Sequence, residues 1–233
     1  MKIVILTGAG VSAESGLGTF RDKDGLWTQY DLSDVATPEG FERDPVKVHD
    51  FYNARRANAA QADPNAAHFA LARLAERHSG EVVLITQNVD GLHELAGQEA
   101  IHMHGALSRA KCAVCDAKWD APLRMTATDP CPSCSKPATR PDIVWFGEFP
   151  EYMDEIEAHL ISADLFVAIG TSGQVYPAAG FVAKAARAGA ATLEINLEPS
   201  DVSGLFDDHR HGSASEIVPI WVDEVLGPPD SSG

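Results

Sequence analysis

"KIVILTGAGVSAESG", residues 2–16, decides the fold. Four aliphatic residues, Ile3 to Leu6, run into small and polar ones and then into glycine. That pattern reads as a buried strand entering a tight turn. Gly8 and Gly10 permit the turn and allow backbone to approach a phosphate closely, and Ala13 stands at the third position of a dinucleotide fingerprint. No Lys-Ser or Lys-Thr follows as in a P-loop, which argues against a nucleoside triphosphatase. Taken alone, the turn fits an unliganded connection as well as a cofactor site.

Three later stretches repeat the habit of the first: "EVVLITQN" (81–88), "DLFVAIGTS" (164–172) and "ATLEINLEP" (191–199). Between them lie helical patterns. Residues 65–78 form one, with Asn65 as N-cap, and residues 153–162 another. Residues 176–189 close on Gly189, while 213–227 open with a Ser213–Glu216 capping-box pattern and end at Gly227. Strands alternating with helices predict an α/β fold, a parallel sheet covered by helices on both faces. In such sheets ligands bind beyond the carboxyl ends of the strands, so four polar strand ends converge on one candidate site.

The totals agree with an enzyme of this class. The chain has 233 residues, 45% of them hydrophobic, enough for one core and a small satellite. A formal charge of −16 argues against sequence-independent nucleic-acid binding, which needs a basic footprint. No apolar run reaches membrane-spanning length and no signal-peptide pattern opens the sequence, so the expectation is a cytoplasmic protein with no membrane partner. Residues 228–233 are expected to be a disordered tail.

All four cysteines lie in one segment. Cys112-x2-Cys115, fifteen residues, then Cys131-x2-Cys134 is zinc-ribbon spacing, in which each C-x-x-C presents two thiolates to one tetrahedral ion. Disulfides and redox pairs are the competing readings. The former want an oxidising compartment, and neither pair adjoins a strand-to-helix turn. Residues 107–140 carry six bases against three acids, an excess of +3 that is expected to offset the −2 of a Zn²⁺ with four thiolates.

A further helix is expected over "DPVKVHDFYNARRANA", residues 44–59, with Asp44 as N-cap and Pro45 at the first helical position. At 100° per residue, Val48, Tyr52, Arg55 and Ala59 share one narrow stripe. Arg55 thus faces inward, whereas Arg56 is expected on the flank at the surface. An arginine on an apolar stripe ordinarily snorkels. Two other polar features stand at strand ends or in loops: Asn88 and Asp90 in "TQNVDGLH", and His104 followed by Gly105 in "IHMHGAL". A histidine on an irregular segment is a candidate general base, or a structural residue like most of the nine here.

Together "GAGVSAESGLGTFR", "TQNVDGLH", "HMHG", the four-cysteine module, "GTS" with "VYPAAG", and "INLEP" resemble, in order and spacing, the sirtuins, NAD-dependent protein-lysine deacylases. The resemblance runs from about residue 3 to residue 226, and "FYNARR", "ATPEGF" and "VWFGE" point to the bacterial class III branch. It implies a Rossmann-like domain (1–33, 80–106 and 141–227), a helical insertion (34–79) and a zinc-ribbon module (107–140). NAD and an acyl-lysine peptide would lie between the two domains. Gly8, Ala9, Gly10, Ser12, Glu14, Thr19, Phe20, Arg21 and Trp27 would surround NAD. Gln87, Asn88, Val89 and Asp90 would line its nicotinamide end. Gly170, Thr171 and Ser172 would meet phosphate and ribose, and Asn196, Leu197, Glu198 and Ala214 the adenosine. His104 would be the catalytic base, accepting a proton from the ribose hydroxyls, with His102 structural. Val144, Phe146, Gly147 and Glu148, with Gly173, Val175 and Tyr176, would sandwich the peptide by strand addition. Ala36, Tyr52 and Arg55 would form the acyl pocket, the arginine holding a carboxylate at the end of a succinyl- or malonyl-type chain. Cys112, Cys115, Cys131 and Cys134 would hold one structural Zn²⁺. The products implied are nicotinamide, O-acyl-ADP-ribose and free lysine. Mono-ADP-ribosyl transfer to protein, a peptide-binding module without catalysis, and a hydride-transferring dehydrogenase are the alternative readings.

Overall fold

The computed structural model describes residues 1–18 and 30–228. Thr19, Phe20, Arg21, Trp27 and residues 229–233 of the tail lie outside the described residues.

The strand read from residues 2–16 is β1 (Ile3–Thr7), and all five of its residues are buried. It is flanked by β2 (Val82–Thr86) on one side and β7 (Leu165–Ile169) on the other, both parallel to it. The sheet continues outward through β3 (Ile101–His102) and through β8 (Ala191–Asn196) to β9 (Asp208–His211), every pairing parallel. The order β3-β2-β1-β7-β8-β9 reverses direction between β1 and β7. That is the Rossmann order, and the reversal opens a crevice beyond the carboxyl ends of these two strands.

Alternation along β1 sorts its side chains between two cores. Ile3 and Ile5 join Leu71 and Leu74 of α5 (Ala66–Arg77) and Val218, Trp221 and Val222 of α9 (Ala214–Leu226). Val4 and Leu6 join Ile156 and Leu160 of α7 (Met153–Ile161) and Phe181, Val182 and Ala185 of α8 (Phe181–Ala188). Each fully buried aliphatic side chain contributes about 1.5–3 kcal/mol, so the two layers hold the sheet from both faces. Asn65 caps α5 in a capping box closed by His68, and Gly189 closes α8 in the left-handed region. The box expected at Ser213 does not form. Ser213 is the N-cap of α9 but its hydroxyl makes no cap bond, and Glu14 instead accepts from the Ser215 N–H at 3.2 Å.

A second, antiparallel sheet, β5-β4-β6, comprises β4 (Gly105–Cys112), β5 (Lys118–Asp120) and β6 (Thr139–Ile143). Between the sheets lie α2 (Leu32–Val35), α3 (Pro38–Arg43) and α4 (Pro45–Ala59). They build a third core in which Val48, Phe51 and Tyr52 pack with Val89, Leu107, Ile143 and Trp145. Asp44 caps α4 by accepting from the Lys47 N–H at 3.0 Å, and Pro45 opens its first turn. Two four-residue helices, α1 (Ala9–Ser12) and α6 (Leu92–Leu95), follow β1 and β2. Among the described residues no helix is long and apolar enough to cross a membrane.

Candidate active site

A cleft of about 810 Å³ opens at the crevice between β1 and β7 and extends to α4 and the loop after β6. Of the described residues expected to bind cofactor or substrate, only Gly173 is absent from its lining; there a side chain would strike Val202. The glycines of the first turn make a close contact that the sequence does not name. A Cβ on Gly8 would sit 2.7 Å from the Gly170 carbonyl oxygen, and one on Gly10 would sit 2.7 Å from the Gly170 Cα. The close approach is between the two strand-end loops themselves. The bare backbone they leave at the crevice is a cradle that side chains would fill, which suits a dinucleotide.

Beneath this cradle the polar groups are buried and mutually bonded. Asn88 donates from Nδ2 to the Gly8 carbonyl and to Ser12 Oγ, both at 3.1 Å. Its N–H donates to Thr86 Oγ1 at 3.0 Å, and Thr86 joins Thr7 and His93 in one chain. Burial drives the pKa of His93 down to about 3 and that of His68 down to about 4, so both are neutral spacers. Asp90 is 9% exposed, and burial raises its pKa against the Leu92 N–H and the Ser12 hydroxyl, which lower it. On the far side of the crevice Asn196 donates to the Thr171 carbonyl at 2.7 Å and Gln87 to Thr171 Oγ1 at 3.0 Å.

His104 lines the cleft where β3 gives way to β4. Its Nδ1 lies 3.2 Å from the Gln87 carbonyl. A carbonyl only accepts, so Nδ1 carries the hydrogen and Nε2 is the ring's acceptor. Burial lowers its pKa against the raising effect of the Gln87 bond, which keeps the ring neutral near pH 7. Gly105 follows at φ +78°, and a Cβ there would meet the Asp142 carbonyl oxygen at 2.0 Å. Only glycine lets the chain turn there and leave His104 at the cleft.

The segment after β6 forms one wall. Phe146 N–H donates to the Ala36 carbonyl at 2.9 Å and Val144 N–H to that of His104 at 3.0 Å. Glu148 lines the cleft, yet its carboxylate is committed: Arg140 donates to both oxygens, at 2.7 and 2.9 Å, and Trp145 N–H donates to Oε2 at 2.9 Å. The Arg140 guanidinium stacks 3.4 Å from the centroid of Trp145. Trp145 Nε1 in turn donates to the Tyr52 hydroxyl at 3.0 Å. Leu107 and Asn58 line the cleft without having been singled out from the sequence, whereas Trp145, which also lines it, lies in the stretch expected to meet the peptide. The tryptophan was legible as part of "VWFGE", but which of its residues face inward depends on the turn.

Tyr52 and Arg55 both line the cleft, as the helical stripe predicts. The guanidinium lies 5.8 Å from each of the Phe51 and Tyr52 ring centroids, and burial lowers its pKa. Arg56 departs from expectation. It is 5% exposed, not on the surface: Nε donates to the Leu107 carbonyl at 2.9 Å and Nη1 to Asn53 Oδ1 at 2.8 Å, and burial takes its pKa down to about 10.

The four cysteine sulfurs all lie within 4.8 Å of one another, with Cys112–Cys134 and Cys115–Cys131 both at 3.7 Å. A tetrahedron with Zn–S of about 2.3 Å has an edge of about 3.8 Å, so the donor set fits one Zn²⁺ and leaves no position for water. Most of the bases expected to offset the charge of this cluster are engaged with carboxylates. Arg109, Lys111, Lys118, Arg124 and Arg140 pair with carboxylates of Asp120, Asp142, Glu151, Asp50 and Glu148. Backbone N–H groups of Val114 and Ser133 face the sulfurs instead, at 3.4 Å each.

Comparison with known proteins agrees with this geometry. The sequence profile of the Sir2 family matches residues 8–177. An NAD-dependent protein deacylase of Caulobacter vibrioides is 58% identical over 231 residues, covering 97% of each chain. A Sir2 homologue solved in complex with NAD superposes with a TM-score of 0.89 at 38% identity, over 97% of this chain and 91% of that one. A Sir2 protein bound to an acetylated peptide superposes at 0.81 with 28% identity, over 95% and 92%. The chain belongs to the Sir2 family.

Proposed function

We propose that this protein removes acyl groups from protein lysines in an NAD-dependent reaction, yielding nicotinamide, O-acyl-ADP-ribose and free lysine. The observation that carries this reading is His104: a neutral imidazole with its tautomer set by the Gln87 carbonyl, in a cleft floored by buried Asn88 and Asp90. NAD, when bound, supplies a ribose carbon whose leaving group is nicotinamide. Gly8, Ala9, Gly10, Ser12 and Glu14, with Gly170, Thr171 and Ser172, would hold its phosphates and ribose, and Asn196, Leu197, Glu198 and Ala214 its adenosine. Gln87, Asn88, Val89 and Asp90 would enclose the nicotinamide end away from water, which favours its departure. His104 Nε2 would accept the proton of a ribose hydroxyl as that oxygen becomes a nucleophile. The four cysteines would take no part, because a Zn²⁺ held by four thiolates has no open position for substrate or water.

The substrate is an acyl-lysine peptide, laid along Val144, Phe146 and Gly147 on one side and Val175 and Tyr176 on the other. Such strand addition reads backbone, so sequence preference is loose. Glu148 supports this wall through Arg140 rather than meeting the peptide. Ala36, Tyr52 and Arg55 would receive the acyl group, with Arg55 pairing the terminal carboxylate of a succinyl or malonyl chain. The test is NAD consumption with acetyl- and succinyl-lysine forms of one peptide, products identified by mass. O-acyl-ADP-ribose in solution supports the reading; ADP-ribose attached to the protein would replace it with transfer.

A further inference from the structure

Helix α4 carries two working faces, and only one of them belongs to the cleft. Val48, Tyr52, Arg55 and Ala59 form the first. His49, Asn53 and Arg56, spaced i, i+4 and i+7, form the second, roughly 90° around the axis at 100° per residue. This second face is polar and half-buried or buried, and each of its residues bonds backbone of the small sheet or its loops. His49 Nε2 donates to the Thr139 carbonyl at 3.0 Å, where β6 begins. Asn53 grips the loop between β5 and β6 with both ends of its amide. Nδ2 donates to the Met125 carbonyl at 2.8 Å and Oδ1 accepts from the Met125 N–H at 2.9 Å. Arg56 Nε donates to the Leu107 carbonyl of β4 at 2.9 Å, and its Nη1 ties back to Asn53. That loop leads directly to Cys131, so α4 is fastened to the cysteine-bearing module at three separate places.

The fastening is a costly one, which argues against its being an incidental way to fill space. Arg56 is buried without an ion-pair partner among the described residues, and its Nη2 has no hydrogen-bond partner there. An apolar residue would hold a helix in place with less desolvation. Directional bonds add what apolar packing lacks, a defined rotation and register of the helix. A rotation of about 20° sweeps a side-chain end about 6 Å from the axis through roughly 2 Å, enough to undo a hydrogen bond. The group most exposed to such a shift is Arg55, since its partner sits at the far end of a long acyl chain. An acetyl group ends short of it.

We propose that His49, Asn53 and Arg56 are positioning residues for acyl selectivity, through which the cysteine-bearing module sets where Tyr52 and Arg55 stand in the cleft. The inference rests on the reading that Tyr52 and Arg55 receive the acyl group. Wild type, Asn53→Ala, Asn53→Asp and Arg55→Met would be compared as full-length, zinc-loaded protein on acetyl- and succinyl-lysine forms of one peptide. Metal content and the KM for NAD would be read in parallel. Asn53→Ala is expected to lower the succinyl-to-acetyl ratio of kcat/KM at least fivefold. The loss should fall on the KM of the succinyl peptide, with the KM for NAD within twofold and the zinc retained. Asn53→Asp keeps the acceptor for Met125 N–H and loses the donor, so its ratio is expected to fall in between, which serves if the alanine variant folds poorly. An unchanged ratio in both Asn53 variants, alongside a changed one in Arg55→Met, would overturn the positioning role and leave the acyl-pocket reading standing. An unchanged ratio in Arg55→Met would overturn both.

Discussion

His102 and His104 stand two residues apart, and each places Nδ1 on a backbone carbonyl of the same strand end, Asn88 at 3.0 Å and Gln87 at 3.2 Å. Their other nitrogens meet different surroundings. His102 Nε2 lies 3.0 Å from Glu94, whereas His104 lines the cleft. Burial lowers the pKa of both. For His102 the hydrogen bond and charge of Glu94 outweigh it and the net shift is upward; for His104 only the Gln87 bond opposes it and the net shift is downward. The same residue type with the same backbone anchor is thus pushed toward the charged form on one side of Met103 and toward the neutral form on the other. Sequence position does not separate them; the carboxylate does.

The largest expected effect breaks or makes this contrast. His104→Ala is expected to lower kcat for deacylation about 10²–10⁴-fold, the range for loss of a general base, while NAD affinity by calorimetry changes little. His102→Ala removes the support of the Asn88 carbonyl but no reacting group, and its kcat is expected to fall less than about tenfold. Equal losses in the two variants would show that the histidines are not divided in this way.

Arg55 and Arg56 repeat the contrast on α4, one arginine lining the cleft and its neighbour bolted to the small sheet. Arg55→Met is expected to cut desuccinylation about 10–100-fold relative to deacetylation, the worth of a charged hydrogen bond in a partly dry pocket. Comparable losses on both peptides would return Arg55 to a structural role.

These two doublets also mark where the sequence was legible. The strand-to-glycine turn, the alternation that gives the parallel sheet, and the cysteine spacing follow from local pattern, and the structure holds all three. The short edge strands were not readable. β3 is two residues long, and β9 is "DHRH", polar throughout and set by pairing with β8 alone. Arg56 was misplaced because helical periodicity locates an apolar stripe and assigns everything else to solvent. A second buried face built from His49, Asn53 and Arg56 carries no apolar signal, since what buries it is a sheet contributed by residues 105–143. Gly8 and Gly10 are read from the sequence as positions of close approach to a phosphate, and the close neighbour in the structure is Gly170, some 160 residues away in sequence. No local pattern names that partner.

A smaller effect concerns pH. If His104 is the base, the acidic limb of kcat/KM falls below its ordinary pKa of about 6.5, because burial lowers it. Glu94→Gln removes the carboxylate beside His102 and leaves His104 without a changed neighbour. The limb is therefore expected to stay in place, within about 0.3 pH units. A limb that moved with Glu94 would assign the titration to His102 and invert the comparison.

The smallest effect is on stability. His102 has its pKa raised on folding, so its contribution is complete below about pH 6.5 and is lost as pH rises through the raised value. Glu94 has its pKa lowered overall despite burial, so its contribution is present above the ordinary glutamate pKa and is lost as pH falls through the lowered one. The pair is therefore at full strength from about pH 4.5 to 6.5. Because the Glu94 side chain is 40% exposed, solvent screening limits the pair to about 1 kcal/mol or less. Glu94→Gln should lower the urea midpoint more at pH 5.5 than at pH 8.5. A loss independent of pH would mean that Glu94 accepts from the Nε2–H of an uncharged His102 ring. The charge difference would then disappear from the comparison, and only the Glu94 hydrogen bond would distinguish His102 from His104.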